Sequence, residues 1–477
     1  MKLKIFKINN KYNLFFLFLI TLSFIFLVYQ DQYFFIDVIK ILTLFSLILF
    51  PIIFYKPYFK TNILVIPYLQ FFVFFYFINY CMGFFFNPKY IFFDNFINSK
   101  LINILLLSTL ALYVGYFLFN CFLKKKIFKI SFFKLEHNNK HTILYISLIY
   151  LFIFYIFNLN HFSKYLIFFK NSFFYLLAVS LAYYFAKTEC KLNKILFLFL
   201  FLILLFIDAS SSSIFTSIFI FSCFVFSLFF LEKKKIAIVF LLFLLFFGTI
   251  FQISKTFQRR LIIIDENNSS YAPILFIKSI YNVLNVIYNK DKENDFVTKV
   301  NSQFDYKIKY KSEKDNLLYR IFHPLNVFSI VIKKTPEKVD FYYGKSYDGF
   351  IYKFFPRILV PSKPDEIFGN FWGKRYGHLS ESDNVTSWNF PVLAEFYANF
   401  GTIACFIGMF FIGCFLRFIS VPITNYKKDI EGSLISISVF FQFVYQEFNL
   451  TLILGNLYIS LICILLITYV INKIFKH

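Results

Sequence analysis

The chain has 477 residues, 59% of them hydrophobic and 24% aromatic, and carries a formal net charge of +23. A soluble fold of this length can bury a core, but it cannot hide this much Phe and Ile, since soluble domains are about half apolar. The apolar residues gather in runs of roughly 17 to 25, bilayer-crossing length, and this excludes a soluble globular enzyme; it also gives the positive charge a cause other than nucleic acid, because short cytoplasmic loops concentrate Lys.

In chain order, the hydrophobic pattern predicts membrane spans near residues 14–30, 36–55, 63–86, 101–123, 142–158, 165–186, 195–209, 214–231, 236–253, 391–416, 432–448 and 451–471. Only Glu447, Asn449 and Thr451 separate the last two. The N-terminus has basic residues and then an apolar run without a small-residue cleavage site, so the first helix is expected to be retained. The expected fold is an all-α polytopic membrane protein of about twelve transmembrane helices. Residues 1–253 hold helices one to nine, 254–390 one large external loop domain, and 391–477 helices ten to twelve.

The connections between spans orient this bundle. Every second one is basic: Lys56 and Lys60, Lys124 to Lys140, Lys187 to Lys194, Lys233 to Lys235, and Arg417 with Lys427 and Lys428. The N-terminal stretch and the tail are also Lys-rich, while the alternate connections are poor in Lys. Positive-inside orientation then predicts both termini in the cytoplasm and the 254–390 loop on the far side of the membrane. Inside that loop, Pro273–Tyr288 and Leu317–Lys333 are helix-like, the stretch between them is charged, and Tyr343–Pro391 is rich in Pro and Gly.

No nucleotide-binding glycine loop and no HExxH occur. The seven Cys form no CxxC pair, and the loop has no paired DxD. Neither a metal nor another cofactor is therefore expected.

Candidate site residues cluster late in the chain. Only six of the 49 basic Lys and Arg residues are Arg, and five of these lie in the loop: Arg259, Arg260, Arg320, Arg357 and Arg375. Arg offers a rigid two-pronged donor that suits phosphate or carboxylate; the competing explanation is salt bridging to loop acids. Both Trp residues, Trp372 and Trp388, are in the loop, where their faces could stack on sugar or sit in an interfacial belt. Three prolines in Phe354–Pro364 stiffen a strap that displays Arg357 and Lys363. Further on, Glu395, Asn399 and Thr402 share one helical face just past Pro391. A carboxylate there either faces a polar cavity or serves the helix dipole. His378 is a weaker candidate, and Asp208 with Ser210–Ser213 reads as a tight turn between two spans.

The Phe-Pro-Arg…Pro-Ser-Lys-Pro strap, followed by Glu395-Phe-Tyr-Ala-Asn-Phe-Gly401 at the start of a late helix, resembles the O-antigen or oligosaccharide repeat-unit polymerases of the Wzy type. The span count and the late external loop fit the same family. Many relatives carry a Gly-Ser-Arg turn where this chain has only the Ser210–Ser213 run. The resemblance implies a membrane-embedded glycosyltransferase of class C-like build. It would move a glycan from polyprenyl pyrophosphate onto a lipid-linked repeat unit, beside membrane lipids, a chain-length regulator and a flippase. It implies catalytic roles for Glu395, Arg357 and Arg375. Lys363, Trp372, His378, Asn399, Arg259 and Arg260 would bind substrate. An O-antigen-ligase-type transferase and a lipid-linked oligosaccharide flippase are the alternatives, and the flippase sits poorly with so large a loop.

Overall fold

A computed structural model describes residues 40–49, 68–81, 83–86, 95–122, 163–211, 214–264, 274–281, 322–355, 368–383, 387–420, 430–444 and 448–474, with isolated positions between 144 and 151 and at 360. These residues are helical or irregular, without a strand among them. The expected span at 14–30 lies outside them, as do most of 142–158 and both ends of 36–55. Among the described residues, four helices are long and apolar enough to cross a membrane: Ser99–Phe119, Lys191–Ser210, Thr402–Ser420 and Leu450–Val470. The chain is thus a helical, membrane-embedded protein.

Contacts divide the chain into two compact units, one of Met1–Glu136 with Phe322–His477, the other of His137–Ile321. The 254–390 loop, expected as one domain, is shared between them at residue 321.

The first unit contains α1 (Tyr68–Tyr76, continued by a π-helical turn Phe77–Cys81) and α2 (Asn95–Phe122). The second unit holds α3 (Ser163–Lys187), α4 (Lys191–Ser211), α5 (Ile214–Phe230) and α6 (Lys234–Ile264). The chain then returns to the first unit with α7 (His323–Lys334), a 3₁₀ helix Lys345–Phe354, α8 (Phe368–Arg375) and α9 (Val392–Phe400). It ends in α10 (Thr402–Ser420), α11 (Ile430–Val444) and α12 (Leu450–Ile474).

In the second unit α5 packs against α3, α4 and α6, with Phe201 of α4 stacked on Phe224 of α5 at 3.8 Å. Helix α6 runs to Ile264, well past the expected boundary at 253. Its polar residues look like the start of a loop in sequence, yet Ser254, Lys255 and Gln258 are buried. The Lys255 ammonium donates to the carbonyls of Ala209 and Ser210, at 2.9 and 3.0 Å, and Gln258 donates to Ser210 O at 3.0 Å. These bonds satisfy carbonyls at the end of α4 that have no partner in their own helix, so the polar turns of α6 can stay helical.

The dominant packing in the first unit is α2 against α10. It is a backbone-to-backbone approach. A Cβ on Gly115 would stand 2.0 Å from Phe410 O, and one on Gly413 would stand 2.1 Å from Leu112 O. In lipid, apolar surface gains little by meeting other apolar surface, so helices associate through close fit at small residues. The Cys414 thiol also reaches Gly115 O, at 3.4 Å.

The described half of the loop in this unit has its own aromatic core. Trp372 of α8 is fully buried and lies on Phe390 at 4.2 Å with planes 6° apart. Tyr376 and Trp388 close the same cluster, and the Tyr376 hydroxyl pairs with Thr335 Oγ1 at 2.8 Å.

Candidate functional site

The expected span at 391–416 is broken in two. Pro391, in an extended conformation, opens α9, and Gly401 at φ 71° closes it before α10 begins. A left-handed turn of this kind favours glycine, and it lets the chain end one helix and start another without a loop. Glu395 therefore sits on a short helix ahead of the apolar span Thr402–Ser420.

The break leaves carbonyls at the end of α9 free, and residues 342 and 343 take them up. Tyr342 N–H donates to Ala398 O at 2.9 Å and Tyr343 N–H to Asn399 O at 3.2 Å. Asn399 secures the same segment with its side chain. Its Oδ1 accepts from Gly344 N–H at 2.8 Å, and its Nδ2 donates to Ser346 Oγ at 2.9 Å and to Glu395 O at 2.8 Å. Asn399 is thus a fully buried organiser, joining the start of the 3₁₀ helix to α9.

Glu395 is also fully buried. Its Oε2 accepts from Leu450 N–H, the first amide of α12, at 2.7 Å, while Oε1 has no hydrogen-bond partner among the described residues. Asn449 Oδ1 accepts from Leu452 N–H at 2.8 Å, and Thr451 Oγ1 donates to Ser346 O at 3.4 Å. A carboxylate at a helix N-terminus meets unpaired amides and the positive end of the dipole. Burial nonetheless pushes the Glu395 carboxyl up to about 7, against the opposing pull of the Leu450 amide and the Ser346 hydroxyl. A carboxyl balanced near neutral pH can both accept and return a proton. On another face of α9, the Lys100 ammonium of α2 lies 5.5 Å from the Tyr397 ring centre.

Beside this cluster runs an apolar groove of about 900 Å³. Tyr347 and Phe350 of the 3₁₀ helix, Ile403 and Phe411 of α10, and Leu450 and Thr451 of α12 are among its walls. The start of α12 therefore lies at both the groove and the Glu395 cluster.

The other expected site residues have different surroundings. Arg375, at the end of α8, donates from Nη2 to Asp340 O at 2.7 Å and lies 4.9 Å from the Tyr342 ring centre. Among the described residues no carboxylate forms a salt bridge with it. Tyr342 in turn bonds to α9, which ties Arg375 to the Glu395 helix through one residue. Trp372 is enclosed in the aromatic core, and the expected sugar-stacking role fails on that burial. His378 is exposed and stacks on Trp388 at 4.8 Å. Arg259 and Arg260 lie on α6, in the other unit. Arg357, Arg320 and Lys363 fall outside the described residues.

Sequence reasoning missed Ser346, Tyr347 and the α12 N-terminus, which sit far from Glu395 in the chain and carry no motif. It also missed a buried cluster in the second unit. Asp208 belongs to the last turn of α4 rather than to a tight turn. Its Oδ2 accepts from Thr216 Oγ1 at 2.6 Å and Ser217 Oγ at 2.8 Å, and Lys170 stands 3.9 Å from Oδ1. A signal was available, since Lys170 is a charge within an apolar stretch, where it needs an internal partner.

No family model, no curated protein and no solved structure matches the chain.

Proposed function

We propose that the protein is a membrane glycosyltransferase that polymerises surface polysaccharide. It moves a glycan from polyprenyl pyrophosphate onto a lipid-linked repeat unit at the outer face of the bacterial inner membrane. The observation that carries this reading is the meeting of a buried, partly unpartnered carboxyl with an apolar groove: Glu395 and the α12 N-terminus on one side, Tyr347 and Phe350 on the other. A lipid-linked substrate needs both, a place for its hydrocarbon and a polar centre for its head.

In this reading Glu395 accepts the proton of the attacking sugar hydroxyl. Arg357 and Arg375 face the leaving pyrophosphate, where preorganised donors stabilise the charge that grows as the glycosidic bond breaks. The alternating Lys connections support a bundle of about twelve spans with both termini in the cytoplasm.

Deleting the gene tests the reaction class. A polymerase mutant leaves single repeat units on the surface acceptor. A ligase mutant instead strands polymer on its carrier, and a flippase mutant delivers nothing to the outer face. Either of the last two outcomes refutes polymerisation.

A further inference from the structure

The 3₁₀ helix Lys345–Phe354 belongs, by sequence, to the external loop. Ten residues is long for this conformation, since runs beyond about four are uncommon. Its contacts follow α12 downward. Thr451, in the first turn of α12, bonds to Ser346 O. Further along, a Cβ on Gly455 would stand 2.9 Å from Lys353 Cδ. At the far end, the Phe354 and Tyr458 rings lie 4.7 Å apart.

Tyr458 is eight residues into the apolar span Leu450–Val470, about 12 Å along it by the rise of an α-helix. That depth is measured from the end of the span and holds whichever side of the membrane that end faces. The eight steps from Ser346 to Phe354 cover about 16 Å at the rise of a 3₁₀ helix, enough to accompany α12 over that distance.

The side chains change along the way. Lys345 and Asp348, near the start, are exposed and charged, whereas Ile351 (62%), Tyr352 (41%) and Phe355 (47%) are exposed and largely apolar at the deep end. The inner side, with Tyr347 and Phe350, lines the groove shared with Ile403 and Phe411, which are themselves exposed on α10. Lys353 lays its aliphatic stem against Gly455, as a lysine does when its charged end reaches for a polar layer.

We propose that residues 345–355 form a re-entrant segment, entering the bilayer beside α12 and presenting Ile351, Tyr352 and Phe355 to lipid hydrocarbon. Non-helical or irregular backbone is tolerated at membrane depth only where protein or a cavity shelters it. Here the backbone is internally bonded and backed by α12. The bilayer is the partner of its outer face, and the loop as a whole is not confined to water.

The full chain in lipid nanodiscs tests this, with Cys190, which is exposed, replaced by Ser. Single cysteines are placed at Ile351, Tyr352 and Phe355, at Ile403 as the lipid-facing control, and at exposed Ser382 as the water-facing control. Each is labelled with an environment-sensitive fluorophore, the signal of the parent without the added cysteine is subtracted, and lipids with a nitroxide on the acyl chain are titrated in. Quenching at Ile351 and Tyr352 nearer to that at Ile403 than at Ser382 is expected, together with slow reaction toward a charged, water-soluble thiol reagent. Quenching nearer to Ser382 at either position overturns the proposal. Phe355 substitutes for whichever of the two variants fails to insert.

Discussion

Replacing Glu395 by Gln separates a proton acceptor from a helix cap. Glutamine keeps the shape and an oxygen for the Leu450 amide, but it cannot ionise. A carboxyl that ordinarily titrates at 4.5 and here titrates at about 7 is protonated in the folded protein over a range where the unfolded chain has released its proton. The sign follows: this group's contribution to stability is full below pH 4.5, falls as the pH rises to about 7, and is then level. The loss across that window is on the order of 3 kcal/mol, with burial of the charge outweighing its bond to α12. Thermal melting of the purified protein should therefore show Glu395→Gln gaining on the parent as the pH is raised through this window. Polymer made in cells should disappear in the same variant at unchanged protein level, and the activity of the parent should decline as the pH falls below about 7. Two results would refute the reasoning. Normal polymer from Glu395→Gln would reduce the carboxyl to a cap; a stability gap flat with pH would show an unshifted carboxyl, and a reversed one a site that favours the ionised form.

Gly413→Val places a side chain against Leu112 O, where even a Cβ would stand 2.1 Å away; α2 and α10 must part, at a cost of about 1–3 kcal/mol or more, read as a lower melting temperature in detergent. Arg375→Lys keeps the charge but loses the fork and its placement on Tyr342. If the guanidinium grips pyrophosphate, glycan extension should fall on the order of a hundredfold in a stably inserted protein, and retention of most activity would count against it. With no paired DxD in the loop, polymerisation by purified protein should persist in excess chelator, and loss restored by magnesium or manganese would contradict an arginine-based mechanism. A reporter active only outside the cytoplasm should be active when fused near Asn301 and silent at Lys125 if the alternating Lys-rich connections orient the chain.

Composition and periodicity alone determined that the chain is helical and membrane-embedded, because bilayer-length apolar runs have no other stable home. The separation of α11 from α12 was also legible, in three polar residues that interrupt an apolar run. Glu395 and Asn399 stood out for the same kind of reason, as polar groups spaced on one helical face. What they touch was decided only by the tertiary structure. The partners of Glu395 and Asn399 are backbone amides and a serine more than fifty residues away, at Leu450, Gly344 and Ser346, and a backbone N–H has no signature in sequence. The break at Gly401 was hidden because a continuous apolar pattern does not reveal a single left-handed residue. The helical course of Lys255 and Gln258 was hidden because polar residues resemble a loop until the carbonyls at the end of α4 are seen to receive them. Trp372 looked available to sugar because residue type does not reveal burial; the stacked face of Phe390 settles where it lies. Long-range partners of this kind arise only when distant segments fold together, whereas span length is a local property that every stretch of the chain carries by itself.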